Sequence, residues 1–104
     1  MTRAIRYLIR AAAFMAPGLS IAAPPPGAAA CMGCHPATAS ANPAESPVPS
    51  LSSRSAAEII TAMQDYRAGT RPATVMDRLA KGFTDEETRA IAQWYERSAK
   101  LKQP

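Results

Sequence analysis

Both cysteines and the single histidine of this 104-residue chain lie within five positions, Cys31-Met32-Gly33-Cys34-His35. Two thiols three positions apart on a helical turn face the same side, so each can add to one vinyl group of a single porphyrin. The imidazole of the next residue, His35, then points at the iron. C-x-x-C-H is the attachment pattern of c-type haem. The motif therefore predicts one covalent haem c on Cys31 and Cys34, with His35 as the proximal iron ligand.

Three other readings of the cysteine pair fit less well. A thioredoxin-like redox dithiol needs an α/β sheet around it, and no stretch of the chain shows the alternation of a strand. A zinc site needs further ligands, and the chain has no other cysteine or histidine. The third is a chance occurrence of C-x-x-C-H, with the two cysteines forming the disulfide that is ordinarily expected in an exported protein. A chance motif would leave the thin core without a cofactor to stabilise it.

Haem iron takes a second axial ligand, and methionine is the leading candidate because the chain has only one histidine. Met1 and Met15 lie in a leader that we expect to be removed, and Met32 lies between the two cysteines. The distal ligand is therefore expected to be Met63 or Met76.

These two methionines lie in different kinds of sequence. Met63 shares a helical stripe with Ile59, Ile60 and Tyr66, a pattern typical of core packing. Met76 follows Pro72 in an irregular stretch, where a loop can cross the distal face of the haem. We expect Met76 to bind the iron, with an open or differently filled sixth position as the alternative.

Helix signals follow the motif at two places. Ser55 with Glu58, and Thr84 with Glu87, form capping boxes that predict helix starts, and Gly69 predicts the end of the first of these helices. A short helix fits residues 76–83. The side chains expected to point inwards are Leu79, Phe83, Ile91, Trp94 and Tyr95. With no strand pattern, the prediction is an all-α fold of three to four short helices around the haem.

The haem also addresses a shortage of core-forming side chains. Aromatic residues are only 6% of the chain, and a domain of about 80 residues is marginal by surface-to-volume scaling. Such a domain needs a staple. Burying a few hundred Å² of porphyrin at about 25 cal/mol per Å² contributes several kcal/mol. We therefore expect the protein without haem to be largely unfolded.

Residues 1–22 have the pattern of a secretory signal peptide: a basic start, a short apolar run and small residues at the end. The mature domain would be 23–104, with a Pro/Ser/Ala-rich loop at 36–50, located in the periplasm. The apolar run is too short for a stable membrane span, although an uncleaved anchor is the alternative. Removal of the leader takes away three arginines and lowers the net charge of the chain from +4 to +1. So small a charge argues against nucleic-acid binding.

The order of elements over residues 28–101 resembles the class I cytochrome c family: C-x-x-C-H, a Pro-x-Leu, a middle helix, a ligand Met and an aromatic C-terminal helix. That resemblance implies the small class I cytochrome c fold. It also implies that Pro49 offers its carbonyl oxygen to the outer nitrogen of His35, and that Leu51 packs on the haem.

Residues 56–95 resemble more narrowly the cytochrome subunit of flavocytochrome c sulfide dehydrogenase, through Gly-x-Arg-Pro at 69–72, Thr-Val-Met at 74–76 and Gly-Phe-Thr-Asp-Glu-Glu at 82–87. In that family the cytochrome pairs with a flavoprotein that oxidises sulfide. The family's ligand Met falls on Met76. The better-known members carry two haems, whereas this chain has one motif and would be a single-haem form.

With His35 and Met76 both on the iron, no position is open to a substrate. The expected function is one-electron transfer by a periplasmic subunit that is not catalytic alone, accepts electrons from a flavoprotein and passes them to a downstream acceptor. The alternatives are a free-standing cytochrome c shuttle and a haem sensor or ligand-binding protein. Four cations near Met76 are expected either to pair with haem propionates or an acidic partner, or to be solvated: Arg67, Arg71, Arg78 and Lys81.

Overall fold

The computed structural model describes residues 23–36 and 47–102. The expected leader, 1–22, and most of the 36–50 loop lie outside these ranges. Within them the chain forms four α-helices and one 3₁₀ helix and no strand, so the all-α prediction is confirmed and is compatible with a small cytochrome c fold. The helices are α1 (Ala28–Met32), the 3₁₀ helix (Leu51–Ser53), α2 (Ala56–Ala68), α3 (Met76–Ala80) and α4 (Asp85–Leu101).

Both predicted capping boxes are present. The Ser55 hydroxyl accepts from the Glu58 amide at 3.2 Å while the Glu58 carboxylate accepts from the Ser55 amide at 2.7 Å. Thr84 and Glu87 exchange the same two bonds at 3.1 and 2.8 Å ahead of α4. The hydrogen bond from the Ser55 amide lowers the pKa of the Glu58 carboxyl, and the Ser55 hydroxyl lowers it further. These boxes fix where α2 and α4 begin.

Two glycines adopt left-handed backbone. Gly69, with φ of +75°, ends α2 as predicted, and its amide donates hydrogen bonds to the carbonyls of Asp65 and Tyr66. Gly27, with φ of +89°, precedes α1. A Cβ on Gly27 would lie 2.6 Å from Phe83 Cε1 and 3.3 Å from Ile91 Cδ1, so the absent side chain lets α1 approach this part of the fold closely.

The core is small. Its buried members are Ala28, Ala56, Ile59, Ile91, Ala92 and Tyr95. No large side chain is completely buried in the described part of the chain, as the composition predicted. Trp94 is half-buried and meets Tyr95 edge to face, with ring centroids 4.9 Å apart.

Leu79 points inwards as expected, but it faces the cavity described below and does not join the apolar core. Leu79 is 45% exposed, whereas Phe83, a few residues on, packs against the core cluster. The reason is the brevity of α3: its five residues bury Ala80 completely, and Leu79 instead lines the cavity described below.

A carboxylate from α4 holds the start of α2. Glu96 Oε2 accepts from the Ala56 amide at 3.0 Å, and Glu96 Oε1 pairs with Lys100 Nζ at 3.2 Å. The hydrogen bond from the Ala56 amide lowers the pKa of Glu96, and Lys100 lowers it further. Because Ala56 is the first residue of α2, this bond satisfies a helix N–H that has no partner within its own helix.

Among the described residues, no helix combines the length and apolar character needed to cross a bilayer.

Candidate functional site

The structure brings all six predicted site residues to one cavity. Its volume is about 1030 Å³. The lining includes Cys31, Cys34, His35, Pro49, Leu51 and Met76. Most of the remaining lining is apolar and comes from α2, the 70–75 segment and α4.

The cysteine motif forms one wall. Cys31 lies in α1, and the turn continues because the amides of Cys34 and His35 both donate to the Cys31 carbonyl, at 3.2 and 2.8 Å. This keeps the two thiols on neighbouring turns beside the same cavity. Burial raises the pKa of the half-buried Cys31 thiol, and nearby Cys34 adds to the rise, while a backbone bond opposes it. Cys34 is exposed.

The His35 ring is held in a defined orientation. Its Nδ1 lies 2.6 Å from the carbonyl oxygen of Pro49, and it therefore donates its proton there. With Nδ1 protonated, Nε2 keeps its lone pair available for a metal. Pro49 and Leu51 flank Ser50, which is 4% exposed, and Leu51 opens the 3₁₀ helix. The class I resemblance implied this contact; composition and spacing alone did not.

Both candidate methionines line the cavity. Met76 is the first residue of α3, not a loop residue, and is half-buried. Met63, on α2, is also half-buried and packs against the core cluster as well. Met32 is 46% exposed and takes no part in the lining. The cavity therefore offers two thioethers, and Met76 as the iron ligand stays a prediction.

The four cations near Met76 differ in their surroundings. Arg78 and Lys81 are exposed and do not line the cavity. Arg67 does not line the cavity either, and its partly exposed guanidinium binds Asp85 and the carbonyls of Ala80 and Phe83. Arg71 does line the cavity, with its guanidinium carbon 5.2 Å from the centroid of the Tyr66 ring.

Sequence reasoning overlooked one cation of the lining. Arg54 also faces the cavity. It immediately precedes the capping Ser55 and follows the Pro-x-Leu, and that position was the signal available. Among the described residues of the lining the one acid is Glu58, whose carboxylate is engaged in the capping box. The charged groups at the cavity are therefore mainly cationic.

These residues suit a c-type haem. The volume slightly exceeds the range of about 300–1,000 Å³ that is typical of ligand pockets, and the walls are mostly apolar. Two thiols stand beside an oriented imidazole, with thioethers also in the lining. The described residues contain no group of three or more His, Cys, Asp or Glu that could hold a metal ion directly. A zinc site has no support in this part of the chain.

Comparison with known proteins yields one informative relative. Over 65 residues the chain is 40% identical to the cytochrome subunit of sulfide dehydrogenase from Chlorobaculum tepidum. The chain is similar to that cytochrome subunit. The match covers 62% of this chain and 56% of the relative, so it spans little more than half of the relative's length. No family model and no solved structure matches.

Proposed function

We propose that this protein is a periplasmic monohaem c-type cytochrome that transfers single electrons, and that it is the haem subunit accepting electrons from a sulfide-oxidising flavoprotein. The observation that carries the haem assignment is the cavity itself. It gathers the two thiols of C-x-x-C-H, an imidazole oriented by the Pro49 carbonyl and the thioether of Met76. The similarity to a sulfide dehydrogenase subunit supports the choice of partner.

Each residue has a distinct task in this proposal. Cys31 and Cys34 attach the porphyrin, His35 binds iron through Nε2, and Pro49 fixes the imidazole by accepting the Nδ1 proton. Met76 would supply the second protein ligand to the iron. Bound haem would supply reversible one-electron chemistry at its iron. With His35 and Met76 both bound to it, no position would be open to a substrate, so the chain would carry electrons and not by itself transform a substrate.

The cavity lining suits this role. Leu51 and Ile59 contribute apolar surface against the macrocycle, and such burial is one of the means by which a protein tunes a haem's reduction potential. Arg54 and Arg71 place positive charge at the cavity, where it favours the reduced, less positive iron.

The proposed location rests on residues 1–22, whose basic start and apolar run are typical of an exported protein. We propose cleavage after Ala22. In this proposal the flavoprotein partner acts in the same compartment. A downstream acceptor takes the electrons onward.

The test is an absorption spectrum of the protein purified gently from its own periplasm, recorded before and after adding sulfide. Flavin bands accompanying the haem, with haem reduction complete within the mixing time, are the expected result. A low-spin haem without flavin that sulfide reduces only slowly would contradict the subunit assignment and favour a free-standing shuttle. Ready binding of carbon monoxide to the reduced protein would instead indicate an open sixth position.

A further inference from the structure

One arginine side chain ties three separate points of the chain together. Arg67 lies near the end of α2. Its Nε donates to the Ala80 carbonyl at 3.4 Å, Nη2 donates to the Phe83 carbonyl, and Nη1 donates to the Asp85 carboxylate. These partners follow Arg67 by 13 to 18 residues. They cover the end of α3, the connection after it and the start of α4.

The element that Arg67 holds is weak on its own. Helix α3 has five residues, and Val75 at its N-cap makes no side-chain capping bond. An isolated helix of this length is unstable in water, because nucleation costs more than so few backbone bonds return. The position of α3 must therefore come from contacts with the rest of the fold.

Met76 and Ala80 are related by the helix geometry. They lie four residues apart, hence on one face of α3 and about 6 Å apart along its axis. Ala80 is completely buried, and its carbonyl is one of the groups that Arg67 binds. Fixing Ala80 against α2 therefore fixes the turn that begins with Met76.

We infer that Arg67 is the positioning residue that holds Met76 over the distal side of the haem site. This inference rests on the proposed role of Met76 as iron ligand. Arg67 does not line the cavity, so it acts through the backbone of α3 and not by touching the cofactor. Its planar fork serves several acceptors at once, which a lysine ammonium on the same backbone cannot reproduce.

The carbonyl bonds should matter more than the ion pair. The Asp85 side chain is 69% exposed and that of Arg67 33% exposed. Ion pairs this open to solvent contribute little. The Ala80 carbonyl belongs to the α3 backbone itself, and the Phe83 carbonyl to the connection that directly follows it. Asp85→Asn should therefore leave Met76 nearly as well placed as in the wild type.

The experiment measures how readily imidazole displaces the methionine from the oxidised holoprotein. The readout is loss of the weak red absorption band that methionine-sulfur ligation gives ferric haem. Loss of the Arg67 bonds should tighten imidazole binding about tenfold, because a hydrogen bond from a charged group contributes at least about the 1.4 kcal/mol to which a tenfold change corresponds. Arg67→Gln is expected to show this change. Arg97→Gln, which removes the same charge from an exposed position on α4, should bind imidazole as the wild type does.

Far-ultraviolet circular dichroism and denaturant unfolding of each variant separate this effect from global instability. If Arg67→Gln does not fold, Arg67→Lys against Arg97→Lys makes the same comparison with charge retained. Equal imidazole affinity in the Arg67 and Arg97 variants would overturn the inference while leaving methionine ligation intact. A wild-type protein without covalent haem, or without the methionine band, would overturn the proposed function and this inference together.

Discussion

Replacing Gly27 by alanine tests how closely α1, the helix that carries Cys31, packs against the rest of the fold. Two costs are expected. At φ of +89°, any residue with a Cβ pays about 1–2 kcal/mol for left-handed backbone. The new methyl group would also lie 2.6 Å from Phe83 Cε1 and 3.3 Å from Ile91 Cδ1, and overpacking of this kind costs about 1–3 kcal/mol.

Gly69 provides a matched control. Its φ of +75° imposes the same kind of backbone cost, but a Cβ there would meet no heavy atom within 4 Å. Gly69→Ala should therefore lower the free energy of unfolding by the backbone share alone, about 1–2 kcal/mol. Gly27→Ala should lower it by a further amount of about 1–3 kcal/mol.

The assay is denaturant unfolding of the holoproteins, followed by circular dichroism and haem absorbance in parallel. If the unfolding free energy of each variant falls with denaturant concentration at the same slope as that of the wild type, the shift in unfolding midpoint reports the change in stability directly. Because α1 carries Cys31, the change in haem absorbance should occur at a lower denaturant concentration in the Gly27 variant than in the Gly69 variant. Equal loss in the two variants would refute the close approach of α1 to Phe83 and Ile91.

Three further predictions concern the core, the helix contact and the iron ligand. Burial raises the pKa of Tyr95 from 10 to about 12. The stability linked to its protonated hydroxyl is therefore present below pH 10 and lost as pH rises through 12, and Tyr95→Phe should flatten that alkaline loss in urea titrations. Because the pKa of Glu96 is lowered in the folded protein, its contribution to stability is present above pH 4.5 and is lost as acid protonates the carboxylate. Glu96→Gln should reduce this loss of stability in acid, whereas Glu86→Gln, at an exposed position, should not. Met76→Ala should retain haem but lose the methionine band and lower the potential, whereas Met63→Ala should keep the band; the reverse would identify Met63 as the ligand.

The stability of Tyr95→Phe at neutral pH gives a second reading of the same site. The Tyr95 hydroxyl is buried and has no hydrogen-bond partner in the described part of the structure. Removing such a group is expected to be neutral or to stabilise by about 1 kcal/mol. A large loss of stability would mean that the hydroxyl has a partner outside the described residues.

Local signals in the sequence predicted the helix boundaries well, because capping is decided within a few residues. Ser55 with Glu58 placed the start of α2, and Gly69 placed its end. The hydrogen bonds from Arg67 to the end of α3, the α3–α4 connection and the start of α4 were not predictable in this way. It joins groups 13 to 18 residues apart and depends on how α2 and α3 pack, which no spacing rule encodes.

At the site, residue chemistry predicted more than periodicity did. C-x-x-C-H and the scarcity of histidine selected Cys31, Cys34, His35 and a methionine, all of which line one cavity. Pro49 and Leu51, which also line it, came only from the class I cytochrome c resemblance. The helical stripe containing Met63 indicated core packing, and Met63 does pack against the core while also facing the cavity. A half-buried helix position can serve both surfaces, so periodicity alone does not separate a core methionine from one beside a cofactor.

The covalent haem is the central claim, and the mass of the intact, denatured protein from its native periplasm tests it most directly. We predict the mass of residues 23–104 plus a single haem, retained after acid and organic solvent. The variant carrying Cys31→Ser and Cys34→Ser should lose that added mass and, without its staple, most of its helical circular dichroism. A wild-type mass equal to the bare chain, or to the chain with only a disulfide, would contradict the account.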